Sequence, residues 1–149
     1  MNNQQARTFK LTALWLVGIH FVVVVLHSVA HEVLRVKASA AQLAFIVPVI
    51  VVAPVAAGLL LPKFERAGAW LLAASMVGSF VFGLYYHFVA DTVDHVAHVA
   101  TLRPAFWSAM FRATAWLLLA SEALGAAVAW LSLAGRPRPF KHYAARTDF

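Results

Sequence analysis

The sequence contains no cysteine. That excludes structural disulfides, cysteine-ligated zinc, iron–sulfur clusters and thiol nucleophiles, and it leaves the redox compartment open. Charge is also scarce. Asp, Glu, Lys and Arg make up 12% of the residues, against about 25% in ordinary soluble domains. A water-soluble domain of this size needs a polar coat, and there is too little polar sequence to build one. With 62% hydrophobic residues, the chain belongs to the membrane class before any motif is read. The net charge of +6 is not a nucleic-acid footprint, because the basic residues sit at the ends of apolar runs, where they mark orientation. No nucleic-acid partner is expected; the lipid bilayer is.

What the sequence does have is four long apolar runs: 11–34, 43–61, 67–90 and 105–134. Each can cross a hydrocarbon core, which needs about 20 helical residues. Backbone groups in lipid must be satisfied within their own segment, so helices are expected and not strands. The breaks agree: Arg35, Lys37 and Ser39; then Pro62, Lys63, Glu65 and Arg66; then Arg103 and Pro104; and finally Gly135, Pro137 and Pro139. The expected fold is all-α, a single membrane domain over 1–149 forming an integral membrane four-helix bundle, with a basic tail over 136–149. The first run has Arg7 and Lys10 before it and Ala38-Ser39-Ala40 after it, but its length and its histidines mark a retained span and not a processed signal.

Three local expectations follow. Pro48 and Pro54 should bend or widen the second helix. Small residues such as Gly78, Ser79, Gly83 and Gly125 should let helices approach closely. The stretch 90–102 has no Gly or Pro, so the third helix is expected to project beyond the bilayer toward Leu102. Orientation comes from counting. Arg7, Lys10, Lys63, Arg66, Arg136, Arg138, Lys141 and Arg146 fall on one side, against Arg35, Lys37, Arg103 and Arg112 on the other. The positive-inside rule then puts both termini in the cytoplasm of a multi-pass cell-membrane protein, in keeping with a bacterial inner membrane.

The functional information lies in a polar stripe. Ionisable groups within a membrane are costly and mark functional positions. His20, His27 and His31 are spaced seven and four apart, which places them within about 40° on a helix. His87, Asp91, Asp94 and His98 fall within about 60° if the third helix continues, with His95 one turn after Asp91. The first and third spans run the same way, so both groups emerge at the same, extracytoplasmic, end. The expected metal-binding set is His27, His31, His87, Asp91, Asp94, His95 and His98. Asp94 is open between ligand, partner of a ligand and solvated charge. Imidazole with carboxylate suits iron, copper or zinc; haem fits less well. His20 and Glu122, at similar depth, read as a deeper polar pair or proton path. Glu32 reads as solvated or paired with Arg35 or Lys37, Tyr85 and Tyr86 as interfacial aromatics, and Met76 and Met110 as core.

The pair His27-x-x-x-His31 resembles the first histidine box of membrane fatty-acid hydroxylases and desaturases, a resemblance that implies a diiron centre acting on lipid chains. The paired-histidine boxes of that family are missing here and the chain is short for its fold. Asp91-x-x-x-His95 resembles a metal motif in the third subunit of membrane methane and ammonia monooxygenases, which implies copper. Each resemblance covers a handful of residues and neither assigns a family. The expected function is metal binding for redox or oxygenase chemistry on a hydrophobic substrate, alone, as a homo-oligomer or as a subunit of a larger membrane complex. The alternatives are a transition-metal transport component and a small b-type cytochrome or quinone-reactive anchor, with His27 or His31 facing His87 across a haem.

Overall fold

The computed structural model of the protein describes residues 3–134. The breaks read at Gly135, Pro137 and Pro139, the basic tail, and the orientation residues Arg136, Arg138, Lys141 and Arg146 lie outside the described residues. Among those described, the chain is helical and has no strand. The elements are α1 (Asn3–Leu34), α2 (Ala40–Leu60), α3 (Glu65–Val89), a short α4 (Val96–Val99) and α5 (Ala105–Ala134). α1, α2, α3 and α5 are each long and apolar enough to cross a membrane.

The bundle is sorted in the opposite sense to a soluble one. Large apolar side chains such as Trp15, Leu59, Trp116 and Leu131 stand exposed, while His20, His27, Ser79, His87, Thr114 and Glu122 are buried. This is the distribution that suits a lipid surround, where apolar surface costs nothing and polar groups must find partners inside. The core is stacked along the bundle. At one end Phe9 and Ala13 of α1 meet Leu61 of the α2–α3 turn, Ala69 and Leu72 of α3 and Ala129 of α5. Val23, Val24, Ile50 and Leu118 fill the middle. At the other end Ala30 and Leu34 meet Val36, Val99 and Phe111. The start of α1 and the end of α5 therefore share one end of the bundle, and the end of α1 and the start of α5 share the other.

Local chemistry sets the helix ends. α1 closes with Arg35 in the left-handed region at φ 57°. The Arg35 N–H then reaches the Glu32 carbonyl (3.1 Å) and the Val36 N–H reaches the His31 carbonyl (3.0 Å). This is the Schellman pattern, built without its usual glycine. α2 opens with a capping box: Ser39 Oγ accepts from the Gln42 N–H at 3.2 Å and Gln42 Oε1 accepts from the Ser39 N–H at 2.7 Å.

The two prolines of α2 widen it into a π-helical stretch over Ile46–Val52. Pro54 has no N–H to give the Ile50 carbonyl four residues earlier. His20 supplies the missing donor, with Nε2 3.1 Å from that oxygen, and its Nδ1 lies 3.4 Å from Ser121 Oγ. The deeper pair read between His20 and Glu122 is thus corrected: His20 turns to the proline-freed carbonyl and to Ser121, and no hydrogen bond joins it to Glu122 among the described residues.

The projecting third helix is also corrected. α3 ends in a π turn, Tyr85–Val89, and Ala90 is extended (ψ 137°). The cause is competition by side chains for backbone groups. Thr92 Oγ1 donates to the Tyr86 carbonyl at 3.3 Å, His95 Nδ1 accepts from the Ala97 N–H at 3.2 Å, and His98 Nδ1 donates to the Thr92 carbonyl at 2.8 Å. The polar residues that share one face in a continuous helix instead build a folded turn across the end of the bundle.

Glycines mark the closest approaches. A Cβ on Gly68 would stand 2.9 Å from the Leu61 backbone nitrogen and 3.0 Å from the Ala57 carbonyl oxygen, whereas one on Gly18 would meet nothing within 4 Å. Alanine ordinarily stabilises a helix over glycine by about 1 kcal/mol. Gly68→Ala is expected to reverse that sign and lower stability by about 1–3 kcal/mol through overpacking against rigid backbone. Gly18→Ala is expected to be neutral or stabilising. Thermal unfolding of both variants in one detergent measures the contrast.

Candidate metal centre

Three histidines converge at the end of the bundle where α1 finishes. His27 and His31 lie one turn apart on α1, and His87 lies on the π turn that ends α3. The ring centroids are 4.8 Å apart for His27–His31, 4.9 Å for His27–His87 and 6.1 Å for His31–His87. One nitrogen from each ring lies within 4.8 Å of the others, so the group can hold a metal ion. His27 and His87 are buried and His31 is half-buried. Phe111 of α5, fully buried, backs the group, with its ring 4.4, 4.7 and 5.4 Å from those of His27, His31 and His87.

Hydrogen bonds decide which nitrogen each ring presents. His31 Nδ1 is 2.8 Å from the Val36 carbonyl oxygen and His87 Nδ1 is 3.1 Å from the Asp94 carbonyl oxygen. A carbonyl only accepts, so both Nδ1 atoms carry the proton. His27 Nδ1 is 2.9 Å from Thr114 Oγ1. That hydroxyl is 2.8 Å from the Met110 carbonyl oxygen and 3.0 Å from that of Phe111, so its own proton goes to the backbone and it accepts from His27. All three rings therefore donate through Nδ1 and keep a lone pair on Nε2. His27 Nε2 is buried and has no hydrogen-bond partner. Acceptors behind the ring that fix tautomer and direction are what metal-binding histidines generally have.

Zinc bonds imidazole nitrogen at about 2.0–2.1 Å, which in a tetrahedron puts ligand nitrogens about 3.4 Å apart. Binding would draw the three nitrogens, now within 4.8 Å of one another, together toward that spacing. With no thiolate in the set, the donors suit copper, zinc or iron.

The other sequence-predicted residues are placed differently. Asp94 is buried behind His87: its backbone carbonyl holds that ring, its Oδ2 accepts from Gln42 Nε2 at 3.1 Å, and its Oδ1 has no hydrogen-bond partner. Asp91 is 92% exposed and lies 3.3 Å from His98 Nε2, itself 55% exposed. His98 already donates through Nδ1, so that contact is an ion pair only when the ring carries a second proton. His95 spends its Nδ1 lone pair on the cap of α4. Asp91, His95 and His98 thus serve the surface turn and are not part of the convergent group. Glu32 is exposed, at the rim of the cavity described next.

A cavity of about 440 Å³ adjoins the triad. Exposed Glu32 and Lys37 and buried Asp94 line it, and its walls are largely apolar, from residues such as Val24, Ile46, Phe82 and Leu118. Its deep end reaches Ser79, Gly83 and Glu122. Sequence reasoning missed Thr114, Phe111 and the two carbonyl acceptors. Thr114 had one available signal: it lies two helical turns before Glu122, on the same face of α5. The carbonyls of Val36 and Asp94 had none, since any residue type supplies a carbonyl.

No protein-family profile, curated protein or solved structure matches this chain. The functional reading therefore rests on the residues themselves.

Removing the acceptor behind His27 tests the geometry. Thr114→Val keeps the side-chain shape and removes the hydroxyl. It is expected to weaken zinc affinity about 10–100-fold, the usual cost of losing a ligand's orienting partner, with helix content unchanged. Thr114→Ser is expected to stay near wild type. Competition titration against a chelating dye reads both.

Proposed function

We propose that this protein is a membrane metalloprotein in which His27, His31 and His87 hold one iron, copper or zinc ion beside an apolar cavity. In this reading it carries out redox or oxygenase chemistry on a hydrophobic substrate, by itself or as a subunit of a membrane complex. The observation that carries the proposal is the shared orientation of the three rings, each donating through Nδ1 with its remaining lone pair free. Metal sites that do chemistry keep three protein ligands and an open position, whereas structural sites close with a fourth. Here the three histidines line a cavity with room for a further ligand, and its walls suit an apolar molecule arriving from lipid.

Placement in the membrane belongs to the same proposal. The positive-inside rule puts the α2–α3 turn, with Lys63 and Arg66, in the cytoplasm. The triad, at the other end of the bundle, then faces the extracytoplasmic side of a cell membrane.

Two other readings are less well supported. Transport of the ion needs a path onward from Glu122, but beyond it Leu72 and Met76 fill the core with no exposure. A bis-histidine haem between His31 and His87 needs a planar slot. The ring of His27 sits 4.8 and 4.9 Å from those two, and Phe111 lies against all three.

Elemental analysis with an absorption spectrum, on protein purified without added metal, tests the proposal. The expected result is about one transition-metal ion per chain and no Soret band. His27→Ala combined with His31→Ala is expected to abolish stoichiometric metal, while Asp91→Ala and His98→Ala retain it. Full metal content in the double histidine variant, or a haem spectrum, contradicts the proposal.

A further inference from the structure

Four buried side-chain atoms have no hydrogen-bond partner among the described residues: His27 Nε2, Ser79 Oγ, Asp94 Oδ1 and Glu122 Oε2. All four residues line the cavity beside the triad. Other buried hydroxyls satisfy themselves locally, as Ser75, Ser108 and Ser132 do by donating to backbone carbonyls. Unmet polar atoms gathered around one space call for a polar content, and each usually finds it in water. At about 30 Å³ per molecule, the space of about 440 Å³ has room for roughly fifteen waters. The apolar walls and the polar points together describe a wet space shared by Asp94, behind His87, and Glu122 in the bundle interior.

Glu122 is the carboxyl at the deep end. Its Oε2 lies 3.7 Å from where a Cβ on Gly83 would stand, so the carboxyl packs against this turn of α3. Gly83 is one turn before His87 on α3, about 6 Å along the axis. The carboxyl is therefore about a turn from the triad and shares its cavity. The titratable groups facing this space are Glu32, His27, His31 and Lys37 from α1 and its following turn, His87 from α3, and Asp94 from the turn after α3; α2 contributes only apolar residues. His20, beside Ser121, is already engaged. Asp94 is buried beside His87 and its carboxylate accepts from Gln42, whereas no hydrogen bond to the Glu122 carboxyl is found among the described residues, and Glu122 is the acid that α5 brings to the cavity.

We propose that Glu122 is the proton-exchanging group of the metal centre. The inference rests on the metal-site reading and extends it. Three neutral imidazoles bring no charge to a divalent ion, and Asp94, buried behind His87, offsets at most one of its two charges, so the remainder is costly in the bundle interior. An unpaired carboxylate in the same interior is costly too. Each removes the cost of the other. With the site metal-free, the Glu122 carboxyl keeps its proton. When the ion enters, the O–H bond of the acid breaks, the electron pair stays on the carboxylate, and the proton leaves through cavity water to the rim. One divalent ion enters, one proton departs, and nothing is oxidised or reduced.

The test is an infrared difference spectrum of the full chain, zinc-loaded minus metal-free, with zinc as a redox-silent probe and zinc per chain measured on the same sample. The expected result is loss of the C=O stretch of a protonated carboxylic acid on zinc binding. That band should shift in D₂O, because the cavity is wet, and should be missing from Glu122→Gln while zinc stoichiometry is kept. Should Glu122→Gln lose helix content, Glu122→Asp keeps a carboxyl and should move the band in frequency. Stoichiometric zinc with no carboxyl loss, or a loss that persists in Glu122→Gln, overturns the inference and leaves the metal site standing. Failure of the wild type to bind zinc overturns both.

Discussion

Each neutral imidazole in this bundle has one N–H to give away, and where it gives it decides what the ring can do. His27, His31 and His87 all give it backward, through Nδ1, to Thr114 and to two backbone carbonyls. Their Nε2 atoms are left as acceptors, and that of His27 is buried with no hydrogen-bond partner among the described residues. His20 shows the opposite outcome, because its Nε2 fills the carbonyl freed by Pro54. His95 caps a helix and His98 ties a turn. One rule of hydrogen-bond bookkeeping thus separates the histidines that can take a metal from those that hold the scaffold. In apolar surroundings the rule is strict, because an unmet polar group costs about 1–3 kcal/mol.

The backbone departs from regular helix where this arrangement needs it. Arg35 accepts a left-handed conformation, which costs a non-glycine residue about 1–2 kcal/mol. The Schellman turn this completes folds Val36 back so that its carbonyl meets His31. The π turn over Tyr85–Val89 carries His87 and ends α3 in time for Asp94 to return behind that ring. The wide stretch in α2 borders the cavity through Ile46 and Ile50. π turns inside α-helices are frequently found at functional sites. Here both adjoin the same site, one carrying His87 and the other lining the cavity.

How far the sequence could be read follows from what each feature depends on. The four spans were legible because the apolar length needed to cross lipid is a constraint on composition alone, and the fourth, 105–134, matches α5 in both bounds. The pair His27 and His31 was legible from i, i+4 spacing. His87 was legible because two parallel spans must emerge at one end. The overrun of the third helix was not, since helical spacing of Asp91, Asp94, His95 and His98 assumes the helix whose existence it was meant to support. Thr92, His95 and His98 instead bond to nearby backbone and end it. The His20–Glu122 pair failed for a related reason: a depth argument cannot see a carbonyl that a proline has left open. Carbonyl acceptors behind His31 and His87 are invisible in a sequence, because their position depends on the fold and not on residue type.

The most direct measurement of the central claim is X-ray absorption at the edge of the bound metal, with zinc loaded at one equivalent. The expected spectrum has three imidazole nitrogens at about 2.0–2.1 Å, with the outer-shell scattering of their rings, one further light atom and no sulfur. A shell of oxygens with fewer than two imidazoles would mean that the rings do not converge on one ion, and would contradict the account.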